Sequence, residues 1–329
     1  MEQEGKKKIV VFDTNIYRDL TLCRDENSLK DLICRIVASE KEHGFSAYIC
    51  PAVAGELIQH FIQDKQDCIN GAKAMYWHCG KQILPFIYEW NSEHYFNTSI
   101  GEHKVRNLIT DVLQCVFERG IDYVKDNMQK EVESISFIVH NENESIVESY
   151  DQFVHKLDNR YDETRKFLTN ASEQQKEDYR SFIKSKEFEI VDAMSNLQGT
   201  FVVLQSYKYP VEEPTKSKWE ELIQQYRDEH QQVYKFLQYN FNEVIMEKDG
   251  FSRCPRANFI RDAALLSMLS WNIDSQDILV VTNDSDMIKY AQPYYPERLL
   301  TLDTYLDKLE LKEVGDEIMQ RIQDARKQK

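Results

Sequence analysis

The chain reads as an α/β protein, an open parallel sheet with helices on both faces and a large all-α insertion. Three observations predict it. Two unbroken apolar runs, Ile9, Val10, Val11, Phe12 and Ile278, Leu279, Val280, Val281, suit strands buried on both faces. Segments of helical spacing alternate with the strands, which favours a parallel sheet covered by helices. Between the two ends, residues 63–250 are rich in Tyr, Phe, Gln, Lys and Glu, poor in Gly and Pro, and carry no strand pattern.

Taken in order, residues 9–13 form the first strand. Residues 29–38 then repeat Leu29, Leu32, Ile33, Ile36 and Val37 on one helical face, ending at His43 and Gly44. Residues 47–50 are a short second strand, and Pro51 opens a helix that runs to Phe61, since proline fits the first helical turn. In the middle, one apolar face runs through Val105, Leu108, Ile109, Val112, Leu113, Val116 and Phe117. A second runs through Tyr150, Phe153, Val154, Leu157 and Tyr161, and a third through Trp219, Leu222, Ile223, Tyr226, Val233, Phe236 and Leu237. These predict a helical bundle, with breaks near 97–101, 141–143 and 209–214. Residues 257–269 return as an apolar helix and 278–282 as a strand. Asp284 or Ser285 caps the next helix, 299–302 is a further strand, and Thr304 starts the last helix. The expected division is 1–62 and 251–329 in one α/β domain, with 63–250 inserted into it.

Composition narrows the class. A chain of 329 residues with 42% hydrophobic and 29% charged residues is expected to fold and to be soluble. No apolar run approaches the roughly 20 residues that span a bilayer, and the charged residues 1–8 lack the apolar core of a signal peptide. The expectation is a cytoplasmic protein that does not engage membranes. The seven cysteines form no CxxC pair and the histidines no HExxH pair, which excludes the common zinc motifs. A formal net charge of −15 argues against coating nucleic acid through bulk charge. It leaves room for an acidic metal site, because bound cations reverse the local field.

Four acidic residues stand out. Asp13 closes the first strand and leads into Thr14 and Asn15; ligands in open parallel sheets bind beyond the carboxyl ends of strands. Asp284 follows the 278–282 strand in Thr282, Asn283, Asp284, Ser285, Asp286. Each segment alone is also an ordinary turn and helix cap, but the same acidic ending on two strands is harder to dismiss. Glu56 lies three residues after Val53, with Leu57 and Phe61 near its face, although a helical Glu is most often solvated. Asp262 shares a helical face with Phe259, Leu266 and Leu269, where a carboxylate is costly without a cation.

Together these segments resemble the PIN-domain nucleases. The resemblance rests on Val10, Val11, Phe12, Asp13, Thr14, Asn15; on Glu56 in Pro51, Ala52, Val53, Ala54, Gly55, Glu56, Leu57; on Asp262 in Asn258, Phe259, Ile260, Arg261, Asp262, Ala263, Ala264; and on Val280 to Asp286. It covers about residues 7–61 and 255–308. It implies a three-layer α/β/α PIN-like sheet and a hydrolase that cuts phosphodiester bonds with Mg²⁺ or Mn²⁺, in RNA more often than DNA. Asp13, Glu56, Asp262 and Asp284 would be the catalytic metal ligands, Asp286 a further ligand, and Asn15 and Thr282 supports. Hard oxygen donors suit Mg²⁺ and Mn²⁺, and two such ions can serve phosphodiester hydrolysis with no protein nucleophile.

Arg253, Arg256, Lys184 and Lys186 are the expected phosphate contacts, and the insertion is the expected surface for substrate or for a protein partner or inhibitor. A role in defence or as a toxin fits the resemblance. The alternatives are a DNA nuclease of the same fold, a haloacid-dehalogenase-type phosphatase, and an inactive scaffold. The phosphatase family carries a second Asp two residues after the first, where Asn15 stands here, and it leaves Glu56 and Asp262 without a role.

Overall fold

A computed structural model of the chain describes residues 8–22, 25–63, 65–84, 103–136, 163, 166–167, 170–186, 221, 224–225, 227–240, 262–263, 265–270, 272–273 and 276–327. The apolar face at 150–161, the three expected breaks, Arg253, Arg256 and the start of the helix at 257–261 lie outside them. The chain divides into two compact units, residues 1–140 with 268–329, and residues 141–267.

The first unit is built on a parallel sheet. Strand β1 (Lys8–Phe12) sits between β2 (Phe45–Ala47) and β4 (Gln276–Val281), and β5 (Leu299–Leu300) pairs with the far side of the ladder at β4. All three of these pairings are parallel, with Val10 opposite Ala47 and Leu279. A short β3 (Asn272–Ile273) runs antiparallel to the start of β4. Ile9, Val10, Val11 and Phe12 are all buried. Successive strand residues point to opposite faces, so both faces of the sheet are covered.

Helix α1 (Thr14–Thr21) leaves directly from β1, and α2 (Glu26–Glu42) leads back to β2. The Asp25 carboxylate caps α2 by accepting the Ser28 N–H. The strand expected at 47–50 is displaced: Phe45–Ala47 pairs with β1, while Ile49 bridges to Ile83. Helix α3 (Pro51–Ile58) follows with proline in its first turn.

The first unit runs beyond residue 62 to residue 140. Helix α4 (Gln66–Cys79) packs on α1, α2 and α3. Gly71 permits that approach, because a Cβ there would stand 3.3 Å from a Leu57 methyl and 3.7 Å from Tyr17 Cβ. Helix α5 (His103–Arg119) buries Ile109, Val112, Leu113 and Val116 of the face read from the sequence, whereas Phe117 is exposed, and α6 (Ile121–Asn127) and a helical segment at 129–136 follow. In the second unit, α7 (Glu173–Ser185) starts with a capping box between Ser172 and Gln175, and α8 (Gln231–Asn240) buries Val233, Phe236 and Leu237.

After β4 come α9 (Ser285–Ala291), α10 (Leu302–Lys308) and α11 (Lys312–Lys327). The helix expected from Thr304 begins at Leu302, because the Thr301 hydroxyl accepts the Thr304 N–H as its cap. No helix among the described residues is long and apolar enough to cross a membrane.

Beneath β1 a buried polar network ties α1, α2, α4 and α10 together. His78 Nε2 lies 2.7 Å from Glu40 Oε1, and the Tyr305 hydroxyl donates to the same oxygen at 2.7 Å. His78 Nδ1 meets the Tyr17 hydroxyl at 3.1 Å, and that hydroxyl lies 3.3 Å from Cys79 Sγ. The Phe12 ring packs against His78, Tyr17 and Tyr305.

Candidate metal centre

The strand order creates the site. From β1 the chain crosses to β2 on one side, and from β4 it crosses to β5 on the other. The carboxyl ends of β1 and β4 therefore flank the point where the winding direction reverses, the usual place for a ligand in an open parallel sheet. Asp13 and the segment Thr282, Asn283, Asp284 leave these two strand ends.

Asp13 is the central group. It is 6% exposed, and its backbone N–H continues the ladder to Val281 O at 3.0 Å. Although it stands at the N-cap of α1, its side chain makes no capping bond. Its Oδ2 instead accepts the hydroxyl of the fully buried Thr282 at 2.8 Å. Asn15, exposed at the mouth, brings its Nδ2 to 3.5 Å from the same oxygen. Burial drives the Asp13 carboxyl up to about 6; the Thr282 hydroxyl and the Thr14 N–H pull it down, and the charges of Glu56 and Asp284 push it up. None of these leading influences is a cation.

Glu56 reaches the site from α3. It is half-buried, and its Oε2 accepts the Thr14 hydroxyl at 2.8 Å. Thr14 thus couples α3 to the first residue of α1, a role that adjacency to Asp13 hinted at but a separation of 42 residues concealed.

Asp284 acts as the helix cap that the sequence allowed. Its Oδ1 accepts the N–H groups of Asp286 and Met287 at 2.9 and 2.8 Å, which caps α9. Its own N–H donates to Thr282 Oγ1 at 3.0 Å, so one hydroxyl meets both the Asp13 carboxylate and the Asp284 backbone. Asp286 is half-buried in the first turn of α9.

Asp13, Glu56, Asp284 and Asp286 belong to the first unit. Asp262 is a half-buried helical residue of the second unit, beside the buried Ala263. Lys184, exposed on α7, and Lys186, half-buried just after it, are also in the second unit. Among the described residues no three His, Cys, Asp or Glu side chains are already gathered closely enough to hold an ion. The described centre is a set of carboxylates oriented by hydroxyls and helix N–H groups and coupled through space. It still fits a divalent cation: the donors are hard oxygens, and a buried carboxylate raised by its own burial and by like charge is the group a cation relieves most.

Compared with models of protein families, with curated proteins and with solved structures, the chain matches none of them.

Proposed function

We propose that this protein is a metal-dependent nuclease of the PIN-like kind, hydrolysing phosphodiester bonds and acting on RNA in preference to DNA. The reading is carried by Asp13, a buried carboxylate with no capping bond at the sheet's reversal point, in electrostatic reach of Glu56 and Asp284. Asp13, Glu56 and Asp284 would hold Mg²⁺ or Mn²⁺, with Asp286 as a further ligand; a ligand role for Asp262 rests on the resemblance alone. Ions bound there would supply an activated water and charge stabilisation at the leaving oxygen.

The chain's own groups do the preparation. Thr282 holds one oxygen of Asp13, so the carboxylate meets a ligand in one orientation. Thr14 does the same for Glu56. Capping of α9 occupies Oδ1 of Asp284 and sets the direction of the carboxylate. Asn15 at the mouth is a neutral amide suited to a phosphate oxygen or a water. Phosphate contacts fall to Lys184, Lys186, Arg253 and Arg256, and the residues between the two sheet segments govern the choice of substrate or protein partner.

The test is cleavage of single-stranded RNA and DNA by purified protein with Mg²⁺, with Mn²⁺ and with chelator. Cleavage is expected with either metal and is abolished by chelator. Asp262→Asn should lower it by roughly 100-fold or more, since even an outer hydrogen-bond partner of a metal ligand is worth about 10–100-fold. Cleavage that survives chelator, or an Asp262→Asn protein with full activity, would overturn the reading. Absence of cleavage under every metal condition would favour a scaffold.

A further inference from the structure

Asn283 stands between the two residues that organise the strand-end carboxylates, yet its side chain points elsewhere. Its Oδ1 accepts the Leu302 N–H at 3.2 Å, and its Nδ2 donates to Asp19 Oδ2 at 2.9 Å. A backbone N–H can only donate, so the first bond assigns the amide and turns Nδ2 towards Asp19. Leu302 is the first residue of α10, and its N–H is one of the donors a helix start leaves without an internal partner. Asp19 lies on α1, the helix that carries Thr14 and Asn15 at its start. Beyond the backbone ladder, side chains thus fix the loop bearing Asp284 to the segment bearing Asp13 at two points. One is the buried Thr282 hydroxyl on Asp13; the other is the Asn283 amide on Asp19.

We propose that Asn283 and Asp19 form a positioning pair that sets the spacing between Asp13 and Asp284, an inference that rests on the nuclease reading. The two point contacts have different jobs. Thr282 orients a single oxygen of Asp13. Asn283 governs how far the whole β4–α9 turn stands from α1, and so whether Asp13 and Asp284 can serve the same ion. Neither Asn283 nor Asp19 needs to touch substrate. A positioning pair of this kind makes a prediction that simple packing does not: its effect depends on which partner carries the charge.

The chemistry of the pair gives a reciprocal test. Asn283→Asp keeps an acceptor for the Leu302 N–H, and a negative charge is favourable at a helix start. Its defect arises at Asp19, where two carboxylates would face each other. Asp19→Asn alone keeps an acceptor for the Asn283 amide. The double exchange, Asp19→Asn with Asn283→Asp, restores an amide-to-carboxylate hydrogen bond in the opposite sense.

The experiment compares wild type, the two single variants and the double variant for kcat and KM on single-stranded RNA with Mn²⁺. Binding of Mn²⁺ alone is followed by electron paramagnetic resonance, and melting temperature is recorded for each protein. Asn283→Asp is expected to lose roughly 10–100-fold in kcat and in Mn²⁺ affinity, the scale of an outer partner of a metal site, with KM little changed. Asp19→Asn, which keeps an acceptor for the Asn283 amide, should lose less than Asn283→Asp, and the double variant should recover most of the lost kcat and Mn²⁺ affinity. If Asn283→Asp fails to fold, the double variant should still fold, bind Mn²⁺ and cleave. A wild type that cleaves beside a double variant no better than Asn283→Asp overturns the positioning pair alone. A wild type that neither binds Mn²⁺ nor cleaves overturns the nuclease reading, and the positioning role with it.

Discussion

Asp13→Asn is expected to abolish cleavage and, at the same time, to raise the melting temperature of the metal-free protein. The two effects have one cause. Burial, with the charges of Glu56 and Asp284 nearby, lifts the Asp13 carboxyl from 3.8 to about 6. A folded-state value above the unfolded one means that the folded protein binds more protons between those pH values. Stability from this group is therefore lost as pH rises from about 4 to about 6, and at neutral pH the ionised carboxylate opposes folding. At about 1.4 kcal/mol per unit the penalty is of order 3 kcal/mol. Asparagine keeps an acceptor for the Thr282 hydroxyl and removes the charge. In chelator, melting curves should show the variant gaining several degrees over wild type above pH 6, since 1 kcal/mol is about 2–4 °C in a unit of this size. The gain should vanish near pH 4, and Mg²⁺ or Mn²⁺ should stabilise wild type but not the variant. A variant less stable than wild type at pH 7.5 in chelator would show that the carboxylate is held by a group other than a missing cation.

The parts of this arrangement that were legible in the sequence are those with local signatures. The apolar run ending at Asp13 gave β1, and the run ending near Asp284 gave β4, because strands buried on both faces admit no polar residue. The cap of α9 followed from Asp284, whereas the helix expected from Thr304 starts earlier, capped by Thr301. The second strand was misplaced because apolar character alone does not say which backbone groups pair. Phe45–Ala47 meets β1, and Ile49 turns to Ile83, a partner far along the chain. Non-local hydrogen bonds left no trace at all. Thr14 to Glu56 and Asn283 to Asp19 join residues far apart in sequence, each of a type that is ordinary at a helix end. Glu40 near the end of α2 carries no local signal of burial, yet it is among the most buried charged groups of the first unit.

That buried acid carries the second large effect. Glu40→Ala should cost about 3–5 kcal/mol, the usual result of removing one partner from a buried ion pair. Both side chains are almost wholly out of water, at 3% and 0% exposure for Glu40 and His78. Without Glu40 a protonated His78 would be stranded, and the Tyr305 hydroxyl would lose the acceptor it has at 2.7 Å. Burial alone would pull the imidazole down, but the Glu40 charge and the contacts with Cys79 outweigh it and hold His78 up at about 10. The sign follows. A histidine whose folded value lies above its ordinary 6.5 lends stability that is fully present below about pH 6.5 and is lost as pH climbs towards 10. The neighbouring phenols of Tyr17 and Tyr305 are pushed by burial well above their usual value, so they do not titrate in that window. Wild type should therefore melt at progressively lower temperature from pH 7 to pH 10. Glu40→Gln keeps an acceptor for Tyr305 and His78 but removes the charge that holds the proton on His78. It should be less stable than wild type at pH 7 and nearly independent of pH above it, so the two curves converge towards pH 10. Parallel curves across that range would mean that His78 is neutral in the folded protein and that the network is held by hydrogen bonds alone.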